Sequence, residues 1–155
     1  MTAMVQIAER EARQAHAGQR EELTGDDYIH HVERVVALVE GEEAKAVAWL
    51  HDVLEDTEMS ADALLAAGVS ETVVEAVRAL TKPKPKPGPD VSSEEKQRLY
   101  RDYIKTLLDG GNTLAVAVKI ADLRDHLRPM NPEVLTDSMR QKYEDALRTL
   151  EGSAR

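Results

Sequence analysis

The sequence predicts an all-α fold, a bundle of about seven to eight helices forming a single domain over residues 1–155. Apolar residues recur at helical spacing in successive segments, as at Ile29, Val32 and Val36. No segment between them alternates apolar and polar residues as a half-buried strand would. A chain of 155 residues is also long enough to bury one core without disulfide or metal support.

Residues that favour helix ends separate the predicted helices. Ser60 and Ser70 are suited to cap two of them, because a serine hydroxyl accepts a hydrogen bond from a first-turn N–H. Gly68 is suited to close the first of these two, and Ser92 or Ser93 to start a later one. In chain order, the predicted helices cover approximately 5–19, 28–40, 42–55, 61–67, 71–80, 93–108, 113–127 and 132–150.

A Lys/Pro-rich loop is predicted at residues 82–90, where prolines alternate with lysines. Proline in a helix interior removes a hydrogen bond and clashes with the preceding turn, so this stretch is expected to be extended. The loop is too short to divide the chain into two domains.

Composition excludes several functional classes. The chain has no cysteine, so any metal must be held by histidine and carboxylate side chains. A net charge of −9 argues against duplex nucleic acid as a partner, and five aromatic residues, four Tyr and one Trp, offer little stacking surface for single strands. No window resembles a membrane span or a secretory leader, so we expect a cytoplasmic protein without a membrane partner.

The stretch "WLHDVLEDT" carries polar residues inside an apolar helix. His51, Asp52 and Glu55 fall on neighbouring faces of that helix, and an unpaired carboxylate in an interior costs several kcal/mol. Imidazole and carboxylate ligands together suit Mn²⁺, Fe²⁺, Zn²⁺ or a similar ion. His31 and Asp122 interrupt two other apolar helices in the same way. Each residue taken alone also fits a structural hydrogen bond or an ion pair. The occurrence of such residues at three separate places in apolar helices favours a shared site.

Four motifs in order resemble a known family. "AHAGQ", "YIHH", "WLHDVLEDT" and "VKIADLRDHL" are similar to the motifs of the HD superfamily of metal-dependent phosphohydrolases, over about residues 12–128. Within it they look most like the hydrolase domain of the RelA/SpoT family and the small alarmone hydrolases. The resemblance implies an all-helical HD domain acting as a hydrolase.

The same resemblance implies which residues form the site. A divalent ion, usually Mn²⁺ with Fe²⁺, Zn²⁺, Co²⁺ or Ni²⁺ as alternatives, would be held by residues at the matching positions, His31, His51, Asp52 and Asp122. In the family pattern Tyr-Ile-x-His the last position is the ligand, which selects His31 over its neighbour. Glu55 and Asp56 match the pair that positions and activates water for attack on a phosphate ester.

The sequence departs from the alarmone hydrolases at two places. Glu21 and Glu22 stand where an Arg-Lys pair contacts the nucleotide, although Arg20 is present, and acids there would repel a polyphosphate. His126 replaces an asparagine, and its spacing from Asp122 puts both on one helix face. His126 would donate to a phosphate, extend the metal site or hydrogen-bond in the core.

Lysines are the candidates to supply the positive charge that the Arg-Lys pair provides in the alarmone hydrolases. Lys82, Lys84 and Lys86 form the densest basic cluster, which would either close over a phosphate or remain a solvated loop. Lys119, next to the Asp122 motif, matches the family pattern. Lys82 and Lys119 therefore join Arg20 and His126 as predicted substrate-binding residues.

The favoured hypothesis is a metal-dependent phosphohydrolase cleaving a phosphate or pyrophosphate ester of a small nucleotide, with a (p)ppGpp-type alarmone 3′-pyrophosphate as the named substrate. The alternative is an HD-fold nucleotide-binding or sensor module without turnover. A structural helical protein is the third hypothesis. The exposed faces of the last predicted helix are compatible with a homodimer.

Overall fold

The structure is a computed structural model that describes residues 3–20, 25–82, 92–128 and 135–153. The helical segments in these ranges are α1 (Ala3–Ala15), α2 (Tyr28–Ala37), α3 (Glu42–Leu50), α4 (Val53–Asp56), α5 (Ala61–Ala67), α6 (Glu71–Leu80), α7 (Ser93–Asp109), α8 (Thr113–His126) and α9 (Asp137–Ser153). Extended pairing within the same ranges is limited to an isolated bridge between Arg20 and Asp27. The predicted all-α fold is confirmed.

Side-chain caps begin five of the described helices, including α9, where the Thr136 hydroxyl accepts from a first-turn N–H. The hydroxyls of Ser60, Ser70 and Ser92 each accept a hydrogen bond from the backbone N–H three residues later. The Asn112 side chain does the same at the start of α8. Each cap satisfies a backbone donor that has no partner within the helix, which explains why α5 to α8 begin where the sequence predicts.

A left-handed glycine closes α5. Gly68 has φ of 107°, and a Cβ atom added there would lie 3.2 Å from the Cδ1 atom of Ile7. Glycine is favoured here both because other residues rarely adopt this backbone conformation and because α1 packs close by.

The predicted helix over 42–55 is interrupted. α3 ends at Leu50, the turn of His51 and Asp52 follows, and the four-residue α4 begins at Val53. Asp52 has φ of −110° and ψ of 1°, outside the helical region. The break lies at the two residues with metal-ligand chemistry, and the Nε2 atom of His51 lies 3.0 Å from Oδ2 of Asp52 there.

Three other predicted bounds differ from the observed ones. α1 and α2 end earlier than predicted, each a few residues before a glycine with positive φ, at 80° for Gly18 and 92° for Gly41. α9 begins at Asp137, while residues 132–134 of the predicted helix lie outside the described residues. Most of the Lys/Pro-rich loop, residues 83–90, also lies outside them.

α3 and α8 occupy the centre of the fold. α3 packs against α1, α2, α6 and α8, and α8 packs against α2, α3, α6, α7 and α9. The main core joins α1 to α8 mainly through alanine, valine and leucine side chains, whereas a second apolar cluster joins α7, α8 and α9. The second cluster consists of Tyr100, Ile104, Leu123, Ala146 and Leu150. Because α8 contributes to both clusters, polar residues on it are buried between them.

Within the ranges that the structure describes, none of the helices combines the length and the apolar character needed to span a membrane.

Candidate metal centre and its pocket

Four predicted ligands meet at one point. His31 comes from α2, His51 and Asp52 from the turn after α3, and Asp122 from α8. Each offers one ligand atom, and these atoms all lie within 4.8 Å of one another. The two histidines and Asp122 are buried, and Asp52 is half-buried. The tertiary fold therefore brings together all four residues that the sequence singled out.

The spacing of these atoms suits a divalent cation. The Oδ1 atom of Asp122 lies 2.9 Å from Nε2 of His31 and 3.4 Å from Nε2 of His51. The Oδ2 atom of Asp52 lies 3.0 Å from that same His51 nitrogen. Ligands at right angles around an ion with bonds of about 2.1 Å are roughly 3 Å apart, which matches these distances.

The tautomer of His51 gives an independent test of this fit. Its Nδ1 atom lies 2.6 Å from the backbone carbonyl of Ala48 and must donate a proton to it. In a neutral ring, the Nε2 atom then presents a lone pair, and it points toward two carboxylates. This buried nitrogen makes no hydrogen bond within the described residues. A lone pair facing carboxylate oxygens is repulsive unless a cation lies between them, so the residues present fit a bound metal ion.

The electrostatics of the cluster also favour positive charge. Burial alone would lower the pKa of His31, but the hydrogen bonds to Asp122 and Asp125 outweigh it and raise the pKa to about 9. Burial also acts against protonation of His51, yet the neighbouring Asp52 and Asp122 hold its pKa well above the ordinary value. The carboxylates thus stabilise a cation at this position, whether a proton on an imidazole or a metal ion.

Asp125 and Arg34 are functional candidates that the sequence analysis missed. Asp125 is buried and accepts a hydrogen bond from Nδ1 of His31 at 2.6 Å. Arg34 donates to the same carboxylate, from Nε at 2.7 Å and from Nη2 at 3.2 Å. Their spacing in the sequence could have identified them. Asp125 follows Asp122 by three residues and Arg34 follows His31 by three, so each lies on the same helix face as a candidate ligand. A carboxylate behind a ligand histidine fixes its tautomer and ring orientation.

Tyr28 supports a second ligand. Its hydroxyl donates a hydrogen bond to Oδ2 of Asp52. The buried ring of His16 lies behind it, with ring centroids 4.9 Å apart, and its Nδ1 atom contacts the Gln19 side chain at 2.7 Å. The "AHAGQ" and "YIHH" motifs therefore pack together beneath the metal cluster.

Glu55 and Asp56 lie on α4, beside the cluster. With Asp52 they form a second group of carboxylates whose oxygens lie within 4.8 Å of one another. Glu55 accepts a hydrogen bond from the backbone N–H of Lys82 at 2.8 Å. Loss of solvent around the carboxyl group, together with the nearby Asp52 and Glu55, raises the pKa of Asp56 to about 6.

A pocket opens onto the cluster. Four acids line the pocket, Asp52, Glu55, Asp56 and Asp122, together with three lysines, Lys82, Lys119 and Lys142.

Three of the predicted substrate-binding residues line this pocket, and the fourth does not. Lys119 pairs with Asp122 at 2.9 Å, and Nε2 of His126 lies 3.4 Å from Oδ1 of the same carboxylate. Lys82 lines the pocket near Glu55. Arg20 is exposed and donates to the carbonyl of Gly25 instead.

The remaining predicted residues fall in two groups. Glu21, Glu22, Lys84 and Lys86 lie outside the described residues, so their predicted effects on the substrate stay predictions. His30 is exposed whereas His31 is fully buried, which agrees with the choice of His31 as the candidate ligand.

Comparisons with known proteins support the fold. No protein-family model matches the sequence, and no curated protein matches it. The solved structure of a metazoan ortholog of SpoT, a protein that hydrolyzes ppGpp and plays a role in starvation responses, matches with a TM-score of 0.75 and 24% sequence identity. The match covers 100% of this chain and 87% of that one. The resemblance expected from the four motifs is thus confirmed at the level of the fold.

Proposed function

We propose that the protein is a metal-dependent phosphohydrolase that cleaves a phosphate or pyrophosphate ester of a small nucleotide. The observation that carries this proposal is the convergence of His31, His51, Asp52 and Asp122 beside a second carboxylate group and at the edge of a lysine-lined pocket. A structural ion-pair network would not need an opening to solvent lined by its acids and by lysines. A structurally similar protein that hydrolyzes ppGpp supports the same reaction class.

The donor set favours a first-row divalent ion. Two imidazole nitrogens and two carboxylate oxygens suit Mn²⁺, with Fe²⁺, Zn²⁺, Co²⁺ and Ni²⁺ as alternatives, whereas Ca²⁺ and Mg²⁺ prefer oxygen ligands alone. When bound, such an ion lowers the pKa of water and offsets negative charge on a phosphoryl oxygen.

The acids of α4 would perform the proton transfer. Asp56, whose pKa is about 6, is ionised at neutral pH and has a proton affinity suited to a general base. Glu55 is held by the Lys82 backbone N–H at one oxygen and by the Lys82 ammonium, 4.0 Å away, at the other, so the carboxylate is positioned to orient a water molecule or the substrate. The reaction needs no covalent intermediate, because water attacks the phosphorus directly.

Basic side chains would bind the phosphates. Lys119, Lys82 and His126 line the pocket. The Nε2 atom of His126 lies 3.4 Å from Oδ1 of Asp122. These side chains are suited to a small phosphorylated ligand rather than to a duplex, since the chain as a whole carries a charge of −9. A (p)ppGpp-type alarmone carrying a 3′-pyrophosphate is the first substrate to test.

The experiment is a release assay on the full chain reconstituted with Mn²⁺. Phosphate and pyrophosphate are measured with ppGpp, NADPH and simple nucleoside monophosphates as substrates. We expect metal-dependent release from at least one of them, lowered by about 10²- to 10⁴-fold in Asp56→Asn and retained in Glu58→Gln, which alters an exposed acid on the same stretch. If the protein binds Mn²⁺ but releases product from none of them, the proposal fails and a nucleotide-binding module without turnover is favoured.

A further inference from the structure

Tyr103 on α7 is linked to the acid Glu55 on α4 through the end of α6. The Tyr103 hydroxyl donates a hydrogen bond to the backbone carbonyl of Leu80, the last residue of α6. Two residues later, the backbone N–H of Lys82 donates to Oε1 of Glu55 at 2.8 Å. The short segment 80–82 therefore connects a tyrosine of the second apolar cluster to an acid beside the metal cluster.

Side chains hold the end of α6 in place. The last carbonyls of a helix have no partner within it. The Thr81 hydroxyl donates to the carbonyl of Val77 at 2.8 Å, and the Tyr103 hydroxyl donates to that of Leu80. Thr81 is extended, with φ of −80° and ψ of 120°, so the chain leaves the helix there. Because a peptide unit is planar, the bond to the Leu80 carbonyl fixes the plane from which the Lys82 N–H is directed.

The surroundings of Tyr103 suit it to this role. The side chain is half-buried, and its ring centroid lies 5.9 Å from that of Tyr100 on the same helix. Loss of solvent raises the pKa of the Tyr103 hydroxyl, which therefore keeps its proton at neutral pH. A carbonyl oxygen can only accept a hydrogen bond, so a protonated hydroxyl is the partner that it requires.

We propose that Tyr103 is a positioning residue for Glu55. Its hydroxyl fixes the Leu80 carbonyl, the backbone that follows presents the Lys82 N–H, and this N–H sets the position of the Glu55 carboxylate. That carboxylate belongs to the second acidic group, whose oxygens lie within 4.8 Å of one another. A displacement of about 1 Å at a reacting group can lower a rate by about 100-fold. Resting on the proposed function, this inference adds a residue that affects hydrolysis without touching the reacting atoms.

A kinetic cycle tests whether Tyr103 acts through Glu55. Tyr103→Phe removes the hydroxyl and keeps the ring, whose centroid lies 5.8 Å from Nζ of Lys82. With Mn²⁺ bound, we expect Tyr103→Phe to lower kcat about tenfold and to leave KM unchanged. In a Glu55→Ala background the same substitution should have no further effect, because the group that it positions is already missing. A tenfold effect that persists in Glu55→Ala, or a raised KM with unchanged kcat, would assign the hydroxyl to the substrate and contradict the proposal.

Hydrogen exchange at the Lys82 amide tests the link without requiring hydrolysis. Exchange is followed by NMR on the full chain, with Zn²⁺ replacing the paramagnetic Mn²⁺. We expect the Lys82 N–H to exchange about tenfold faster in Tyr103→Phe, because the plane that directs it is released. Tyr100→Phe is the matched control, since it removes a hydroxyl from the same helix and should leave this rate unchanged. Thermal unfolding checks that each variant is folded at the temperature of the measurement.

The exchange rates separate failure of the link from failure of the proposed function. An unchanged Lys82 rate in Tyr103→Phe, or an equal increase in Tyr100→Phe, would overturn the link. Faster exchange confined to Tyr103→Phe, in a protein that hydrolyses no substrate, would uphold the link to Glu55 and overturn the hydrolase proposal alone.

Discussion

Asp125 and His31 form the hydrogen bond that connects the metal cluster to its support. The Oδ2 atom of Asp125 lies 2.6 Å from Nδ1 of His31, while Nε2 of the same ring lies 2.9 Å from Asp122. Arg34 donates to both Asp125 oxygens and so holds that carboxylate in place. The pKa of Asp125 falls to about 2, since the donors His31 and Arg34 outweigh burial. The carboxylate is therefore ionised at neutral pH and orients His31 toward the cluster.

Replacing Asp125 with asparagine should weaken metal binding without removing a ligand. The charge that orients the His31 ring and increases its basicity would be lost, so we expect Mn²⁺ affinity to fall by about 10- to 100-fold. Calorimetric titration with Mn²⁺ measures the change, and activity at saturating Mn²⁺ should recover. Asp109→Asn, at an exposed acid on α7, is the control. Unchanged Mn²⁺ affinity in Asp125→Asn would contradict the supporting role.

Removing a candidate ligand should have a larger effect than removing its support. In His51→Ala and Asp52→Ala we expect the bound metal to fall well below one ion per chain and hydrolysis to be lost, because the three remaining side chains form an incomplete site. Metal content after dialysis is measured by atomic emission. His30→Ala changes an exposed histidine and should keep its metal. Full activity of a metal-stripped protein would refute the mechanism.

Substitution of the acids on α4 should lower the rate of hydrolysis without removing the metal ion. We expect Glu55→Gln and Asp56→Asn each to lower kcat by about 10²- to 10⁴-fold, the range for loss of a positioned acid or base. Metal content should remain that of the unmodified protein, since neither residue belongs to the predicted ligand set. A parallel loss of metal in either variant would instead make that carboxylate a ligand.

The metal-free protein should lose stability as the pH rises. The pKa of His31 is about 9 in the folded chain against an ordinary value of 6.5, and that of His51 is raised in the same direction. The stabilising effect of His31 is complete below about pH 6.5 and disappears as the pH rises through about 9, at about 1.4 kcal/mol per unit of pKa shift, and His51 acts in the same direction. Burial lowers the pKa of His16, so titration of this residue changes the unfolding free energy only below about pH 6.5, outside this window.

Urea unfolding of the chelator-treated chain at pH values from 6.5 to 9.5 measures this loss. Mn²⁺ binds neutral imidazoles and stabilises the folded state by its own affinity, so the loaded protein should show a much flatter profile. A metal-free chain whose unfolding free energy stays constant across the window would show that these histidines are not protonated in the folded state.

Much of the fold could be predicted because its determinants are local. Serine caps, the left-handed Gly68 and the apolar periodicity act within one or two turns, so the helix starts follow from neighbouring residues. The break at His51 and Asp52 could not be predicted in this way. The residues around it have helical propensity, whereas the turn also depends on the packing of α3 against four other helices and on the hydrogen bond from Tyr28 to Asp52.

The sequence by itself determined an all-α chain and four residues with metal-ligand chemistry, since acids and histidines within apolar helices stand out wherever they occur. The tertiary structure alone decided which groups surround them. Asp125 meets His31 across 94 positions of sequence, and Lys142 meets Tyr100 through the pairing of α7 with α9. Such contacts depend on how helices are rotated and placed against each other, which is settled by burial over the whole core rather than by local sequence.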